Sequence, residues 1–373
     1  MVDTVRIQLI GPGLWSIAPA GSPDPAAADP GPDTAVLEVG GGHLSWSLLA
    51  EHRVPAAILH DLDSAQEWLW ALYGAEVAVA ADDYTEPVEL PIRPERPELA
   101  AAVRRLGYAH WAARWWPAST VDGIPALDPA ELDREIAELS EYCESVVDGA
   151  DAPGEADAPD ALAALAPDLG RAVDYALAAG GQPRDSGTAL IVERGSSGWD
   201  WRHCPPGVVD ASERAVSWEL VRAAGANTLR VRVVAAPGLH GDLPEYLRPR
   251  ALVRTPAGVH DAALVSTGDT WTAAVADSDG AVSAIEIYVP GVGPSPPEGA
   301  VSPDLDSDAA QGVRHTDPAA EARRRDLIRD LARARLHRAG HTVAYAVAEP
   351  AAGPADIELL RAEITAAETD SDF

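Results

Sequence analysis

Apolar positions along this chain change their period from one region to the next, and the changes outline its elements. In PELAAAVRRLGYAHWAARWW, which opens at Pro97 and is closed by Pro117, no helix breaker intervenes except Gly107, so the spacing predicts one helix. At 100° per residue this helix carries two apolar faces. Leu99, Val103, Leu106, His110 and Ala113 form a narrow stripe, and Tyr108, Trp111 and Trp115 lie roughly opposite, beside Arg104. A helix apolar on both sides is expected to be sandwiched, which would bury Trp111 and Trp115. The competing expectation is an aromatic patch that stacks Arg104 or Arg114 and binds a partner.

A second helix is predicted in LDPAELDREIAELSEYCESVV, where Leu132, Ile136, Leu139, Cys143 and Val146 align. Asp128 supplies its N-cap, Pro129 its first helical position and Glu131 a capping box. DGADAPGEADAPD reads as a loop, and after it Leu162, Leu165, Leu169, Val173 and Leu177 predict a third helix that ends at Gly180 and Gly181. Residues 96–182 are thus a helical region. The preceding residues 1–95 form a small α/β region, with strands expected at TVRIQLI, TAVLEV and AEVAVAA and a helix at SAQEWLWALYG capped by Asp63 or Ser64.

From residue 187 the period becomes two. TALIVERG, AVSWELV, TLRVRVVA, RALVRT, AALVST, TWTAAVA and AIEIYV are separated by turn residues, which predicts an all-β, sandwich-like domain over 187–293. A Pro/Gly/Ser linker follows over 294–316. The C-terminal segment, 317–373, holds an arginine-rich helix capped by Asp317 and Pro318, a strand-like HTVAYAVA and a helix at IELLRAEITAAE. The expected fold class is an α+β multidomain protein.

Composition narrows the function. The 373 residues include 59 acidic and 28 basic ones for a net charge of −31, and every basic residue is arginine. This balance fits a GC-rich genome such as that of an actinobacterium, or alternatively a high-salt surface of haloarchaeal type. In either case phosphate backbones and anionic lipid would be repelled, so neither nucleic acid nor membrane is an expected partner. No run reaches about 18 apolar residues and the N-terminal stretch has no signal-peptide layout, so a cytoplasmic location is expected. Cys143 and Cys204 are too few and too far apart for a disulfide framework or a cysteine zinc site.

Motifs for catalysis or cofactor binding are weak. VLEVGGGHLSWSLLAE, residues 36–51, is similar to the first motif of S-adenosylmethionine-dependent methyltransferases, with Asp61 or Asp63 near the ribose-binding position. Leu44 replaces the last expected glycine, however, and the parallel strands of that fold do not follow. The GPG at 11–13 is followed by Pro/Ala-rich coil rather than by a helix. His337 and His341 are spaced i, i+4 but lack an HExxH glutamate, and Gly340 lies between them. His203 and Cys204 are adjacent and would generally point apart, and no GxSxG elbow is present. No metal site and no cofactor are expected, and the arginine helix at 323–338 is expected to dock onto its own body or an acidic partner.

A second aromatic concentration, GWDWRHCPPGVVDASERAVSW, places Trp199 and Trp201 before a Pro–Pro–Gly turn, where they could form a lid or hinge on the β domain. This stretch, the WWP helix and the strands ending in YVPG resemble accessory proteins of actinobacterial systems built around a MoxR-type AAA+ ATPase and von Willebrand factor A proteins. The resemblance spans residues 97–292 and carries no catalytic residue. It implies a non-enzymatic adaptor or scaffold that binds a MoxR-type ATPase or a von Willebrand factor A protein. The candidate partner-binding residues are Arg104, Tyr108, Trp111, Trp115, Trp199 and Trp201. An enzyme using dispersed Asp, Glu, Arg or His residues, or a degenerate S-adenosylmethionine-binding protein, is the alternative.

Overall fold

A computed structural model describes residues 3–22, 25–26, 30–50, 52, 54–147, 190–239, 243–276, 281–293, 317–344 and 357–370. Among these residues the fold is mixed α+β, with six α-helices and fourteen strands in three antiparallel sheets. The chain divides into two compact units, one formed by residues 1–154 and 315–373 and the other by 155–314. The first unit is therefore assembled from both flanks of the sequence.

The first unit contains a six-stranded antiparallel sheet in the order β3-β4-β5-β2-β1-β6. Its strands are β1 (Thr4–Gly11), β2 (Leu14–Pro19), β3 (Thr34–Val39), β4 (Gly42–Ser47), β5 (Ala56–Leu59) and β6 (Val88–Pro91). Period-two burial follows the pleat: Val5 and Ile7 on β1, and Ala35, Leu37 and Val39 on β3, point inward. The helices are α1 (Leu62–Tyr73), α2 (Ala75–Asp82), α3 (Pro97–Trp115), α4 (Pro129–Tyr142), α5 (Pro318–Ala344) and α6 (Arg361–Asp370).

Three local expectations are corrected in this unit. VLEVGGGHLSWS is a β-hairpin, with Val39 paired to Gly42, rather than a strand leading into a helix. AEVAVAA is α2 and not a strand, because alanine favours helix strongly and a new helix starts directly after Gly74, the C-cap of α1. The cap of α1 is Asp61, whose carboxylate accepts from the Asp63 and Ser64 amides. At α4 the Asp128 carboxylate accepts from the Ala130 amide at 2.8 Å, as its sequence signature requires.

Helix α3 is buried on both faces. Leu99, Val103 and Leu106 are buried, and so are Tyr108 and Trp111. Gly107 lies against the Trp46 ring of β4, where a Cβ would collide with the indole. The boundary of the aromatic face differs from the helical-wheel expectation: Trp115 is half-buried and Ala113 is exposed. Trp116 is buried instead and donates through Nε1 to the Pro125 carbonyl at 2.9 Å. Helical geometry ends at Trp115, so Trp116 leaves the wheel and turns inward.

The second unit holds a five-stranded sheet, β12-β13-β9-β8-β7, and a three-stranded sheet, β11-β10-β14. Their ranges are β7 (Leu190–Ser197), β8 (Val216–Ala223), β9 (Ala226–Val234), β10 (Arg250–Thr255), β11 (Gly258–Ala263), β12 (Val265–Thr267), β13 (Thr270–Ala276) and β14 (Ala284–Tyr288). The β8–β9 hairpin turns on Ala224 and Gly225, both at positive φ (51° and 86°), which matches the twist of its strands. AALVST is not one strand. The chain leaves the three-stranded sheet at Ala263 and joins the five-stranded sheet at Val265, with Leu264 buried at the crossing.

The helix expected over 162–177, the 294–316 linker and most of HTVAYAVA lie outside the described residues. Residues 341–344 of that last segment continue α5 rather than forming a strand. No described helix is long and apolar enough to cross a membrane.

Candidate binding surfaces and a buried charge network

The densest polar chemistry of the first unit lies where α3, α4, α5 and α6 meet. Arg335 of α5 grips Glu363 of α6 in a fork, Nε to Oε1 at 2.5 Å and Nη2 to Oε2 at 2.7 Å. Both side chains are essentially inaccessible, at 1% and 0% exposure. Arg335 also donates through Nη1 to the Ile357 carbonyl at 3.0 Å, and its guanidinium lies 4.1 Å from the Tyr108 ring centre. The Tyr108 hydroxyl donates to Glu363 at 2.7 Å, and the Leu360 amide donates to the other Glu363 oxygen at 2.8 Å.

A planar fork, an aromatic face and a carboxylate with several donors offset the desolvation of the two charges. Burial, with the Glu363 charge beside it, pushes the Tyr108 hydroxyl well above its ordinary pKa. Burial opposes the charge on Arg335, but Tyr108 and Glu363 hold its pKa above the usual arginine value. The group is a fixed ion pair, and its chemistry is that of cohesion.

A second buried carboxylate, Glu135 of α4, accepts from Arg105 Nη2 at 2.5 Å and from the Arg361 amide at 2.8 Å. Arg105 continues to Glu358 at 2.6 Å, and Arg361 forks onto Glu138 at the surface. The hydrogen bond from Arg361 holds the Glu138 carboxyl below its usual range. Along α5, buried Arg329 faces Asp122 and Asp326, and Arg324 reaches Asp33. The arginine-rich helix thus turns its inner cations onto its own unit.

The sequence candidates divide by burial. Tyr108 and Trp111 are core residues with rings stacked 5.5 Å apart, and Trp111 Nε1 donates to the Pro32 carbonyl at 2.7 Å. Trp199 and Trp201 are also buried, their rings 6.2 Å apart, and Trp199 Nε1 donates to the Asp210 carbonyl at 3.0 Å. The loop carrying them is pinned to both sheets of its unit, by Val289 N to His203 O and by Asp210 N to Val234 O. These four aromatics therefore do not form an exposed patch.

Trp115 is half-exposed with the Arg114 guanidinium 5.4 Å above its ring. Arg104 lines an open groove of about 430 Å³ together with Arg105, Leu139, Tyr142 and Ile357. Four of the six candidates belong to the first unit, and Trp199 and Trp201 belong to the second.

The glycine triplet of the cofactor-like motif is occupied internally. Gly41, at φ 78°, lies under the start of α1, where a Cβ would strike the Asp61 carbonyl oxygen. Its own carbonyl accepts from the His60 and Asp61 amides, and the Gly40 carbonyl accepts from Trp68 Nε1 at 2.7 Å. Among the described residues no cluster of three or more His, Cys, Asp or Glu side chains is arranged to hold a metal. Both cysteines are buried, which pushes each thiol up to about 12.

Strand β7 presents a different surface. It is an edge strand paired with β8, and its first three residues, Leu190, Ile191 and Val192, are 63%, 48% and 47% exposed. The register shifts between Ile191 and Glu193, so the apolar start of the strand lies beyond a bulge. Among the described residues no strand pairs with its outer edge, and such an edge with exposed apolar side chains is a template for another strand.

No known protein family matches the chain, and no curated protein or solved structure shows significant similarity to it.

Proposed function

We propose that this protein is a non-enzymatic adaptor that acts by binding another protein, with the second unit as a sandwich-like scaffold and the outer edge of β7 as its contact. The observation that carries the proposal is the apolar run Leu190–Ile191–Val192 on an edge strand. Edge strands on natural monomers are usually blunted by charge or covered, so an apolar one suits strand addition by a partner. The resemblance seen in the sequence makes a MoxR-type ATPase or a von Willebrand factor A protein the partner to test, in the cytoplasm. The net charge of −31 supports a protein partner over a polyanion.

Purified MoxR-type ATPase and von Willebrand factor A protein should be titrated against the wild-type chain and an Ile191→Lys variant. Because Ile191 is half-exposed, the substitution should change stability by no more than about 0.5 kcal/mol. Binding that weakens at least tenfold, with an unchanged melting temperature, is expected. Equal affinity of the wild type and the variant for the partner would remove β7 from the contact, and failure of both candidate partners to bind would refute the assigned system.

A further inference from the structure

Helix α5 carries a pair of imidazoles that the charge network does not use. His337 and His341 are one turn apart on its exposed side, with Nε2 atoms 3.1 Å apart, ring centres 4.3 Å apart and ring planes at 74°. The arginines nearest to them are directed elsewhere: Arg338 donates to the Ile357 carbonyl at 2.9 Å, and Arg333 pairs with Asp330. Gly340, between the two histidines in sequence, has open space where its Cβ would be.

At 3.1 Å the two Nε2 atoms share a hydrogen bond, and an ion that displaces its proton would meet both nitrogens. With each nitrogen about 2.1 Å from a shared ion, as in imidazole–metal bonds, two donors 3.1 Å apart subtend about 95° at the metal. That is close to the cis angle of square-planar and octahedral coordination. Imidazole pairs in tetragonal surroundings favour Cu(II) or Ni(II), and the affinity order places copper first.

We propose that His337 and His341 form a bidentate surface site for a divalent transition ion, Cu(II) foremost, with water in the remaining positions. Two protein ligands leave the ion accessible and exchangeable, which suits acquisition or hand-over rather than a structural role. The excess negative charge of the chain draws cations towards it in the same sense. The site is independent of the β7 contact, so either proposal can fail alone.

Calorimetric titration of the full chain with Cu(II), with electron paramagnetic resonance on the loaded protein, tests this. The wild type should bind an ion with a tetragonal signal split by two nitrogens. His337→Ala and His341→Ala should each weaken that event by at least about tenfold, the scale of loss that even outer-sphere changes produce at metal sites. Both histidines are exposed, so circular dichroism should show an unchanged fold. His52→Ala, at an exposed histidine elsewhere, should bind as the wild type does. The proposal is overturned if the double variant keeps the wild-type affinity and signal, if His52→Ala loses them equally, or if the wild type takes up no copper.

Discussion

The guanidinium of Arg335 lies 4.1 Å from the centre of the Tyr108 ring, so a cation from the C-terminal flank is seated on an aromatic face from the N-terminal one. Glu363 closes the group by accepting from both residues. Removing the carboxylate leaves a buried charge without its counter-ion, which costs about 3–5 kcal/mol at such sites. Glu363→Ala should therefore lower the unfolding midpoint of the first unit steeply. Replacing the pair together, as Arg335→Met with Glu363→Leu, should recover much of the loss. Denaturant melts of the two variants check this, and equal damage in both would show that the ion pair itself is not the source.

The tryptophans of α3 should respond unequally. Trp111 is buried and hydrogen-bonded to Pro32, so Trp111→Ala is expected to cost about 3–5 kcal/mol. Trp115 is half-exposed, and Trp115→Ala should cost about 1 kcal/mol or less. Thermal melts of the two variants distinguish them, and similar losses would mean that Trp115 is packed as tightly as its neighbour.

Gly41 and Gly13 separate two kinds of strain. Both have positive φ, 78° and 67°, but a Cβ at Gly41 collides with Asp61 whereas none meets an atom within 4 Å at Gly13. Gly13→Ala should cost about 1–2 kcal/mol of backbone strain. Gly41→Ala should cost clearly more, because α1 must shift to admit the methyl group. Equal melting temperatures for the two variants would count against the close packing of that turn.

One cysteine lies in each unit, and each is buried with its thiol pushed up to about 12. At pH 8 neither should react with a thiol reagent until its own unit opens, so labelling at Cys143 and Cys204 reports the two units separately. Folding keeps both protons on. Between the ordinary thiol pKa near 8.5 and about 12 the unfolded chain therefore binds fewer protons than the folded one, and stability falls as pH rises through that window. Below it these groups have no effect. Mass spectrometry of pulse-labelled protein across denaturant and pH measures both effects, and rapid labelling of native protein at pH 8 would contradict the burial.

The sequence reveals elements whose pattern and punctuation agree. The caps of α4, the alternation of β1 and β3 and most strands of the second unit are visible for that reason. It misleads where one composition serves two structures: AEVAVAA alternates like a strand but is alanine-rich, and GGGHLSWS resembles a cofactor loop but turns back on itself. The arginine helix is expected to dock onto its own body or an acidic partner, but the buried carboxylates Glu363 and Glu135 are not singled out. A signal is nonetheless present, since Ile328, Ala332, Arg335 and Ala339 are all buried at helical spacing, which places an arginine within an apolar stripe. Exposure on β7 depends on which strand ends the sheet, a fact of topology that its alternation does not carry.

Because the first unit takes residues from both flanks, its completion follows the order of synthesis. Tyr108 leaves the ribosome 255 positions before Glu363, a lag of roughly 10–50 s at usual translation rates. Throughout that interval the Glu135 carboxylate and the inner face of α3 are without the C-terminal groups that later cover them. The second unit has its whole sequence available earlier. A nascent chain arrested before residue 335 should therefore present the α3–α4 surface to chaperones while the later-encoded β unit is already able to fold.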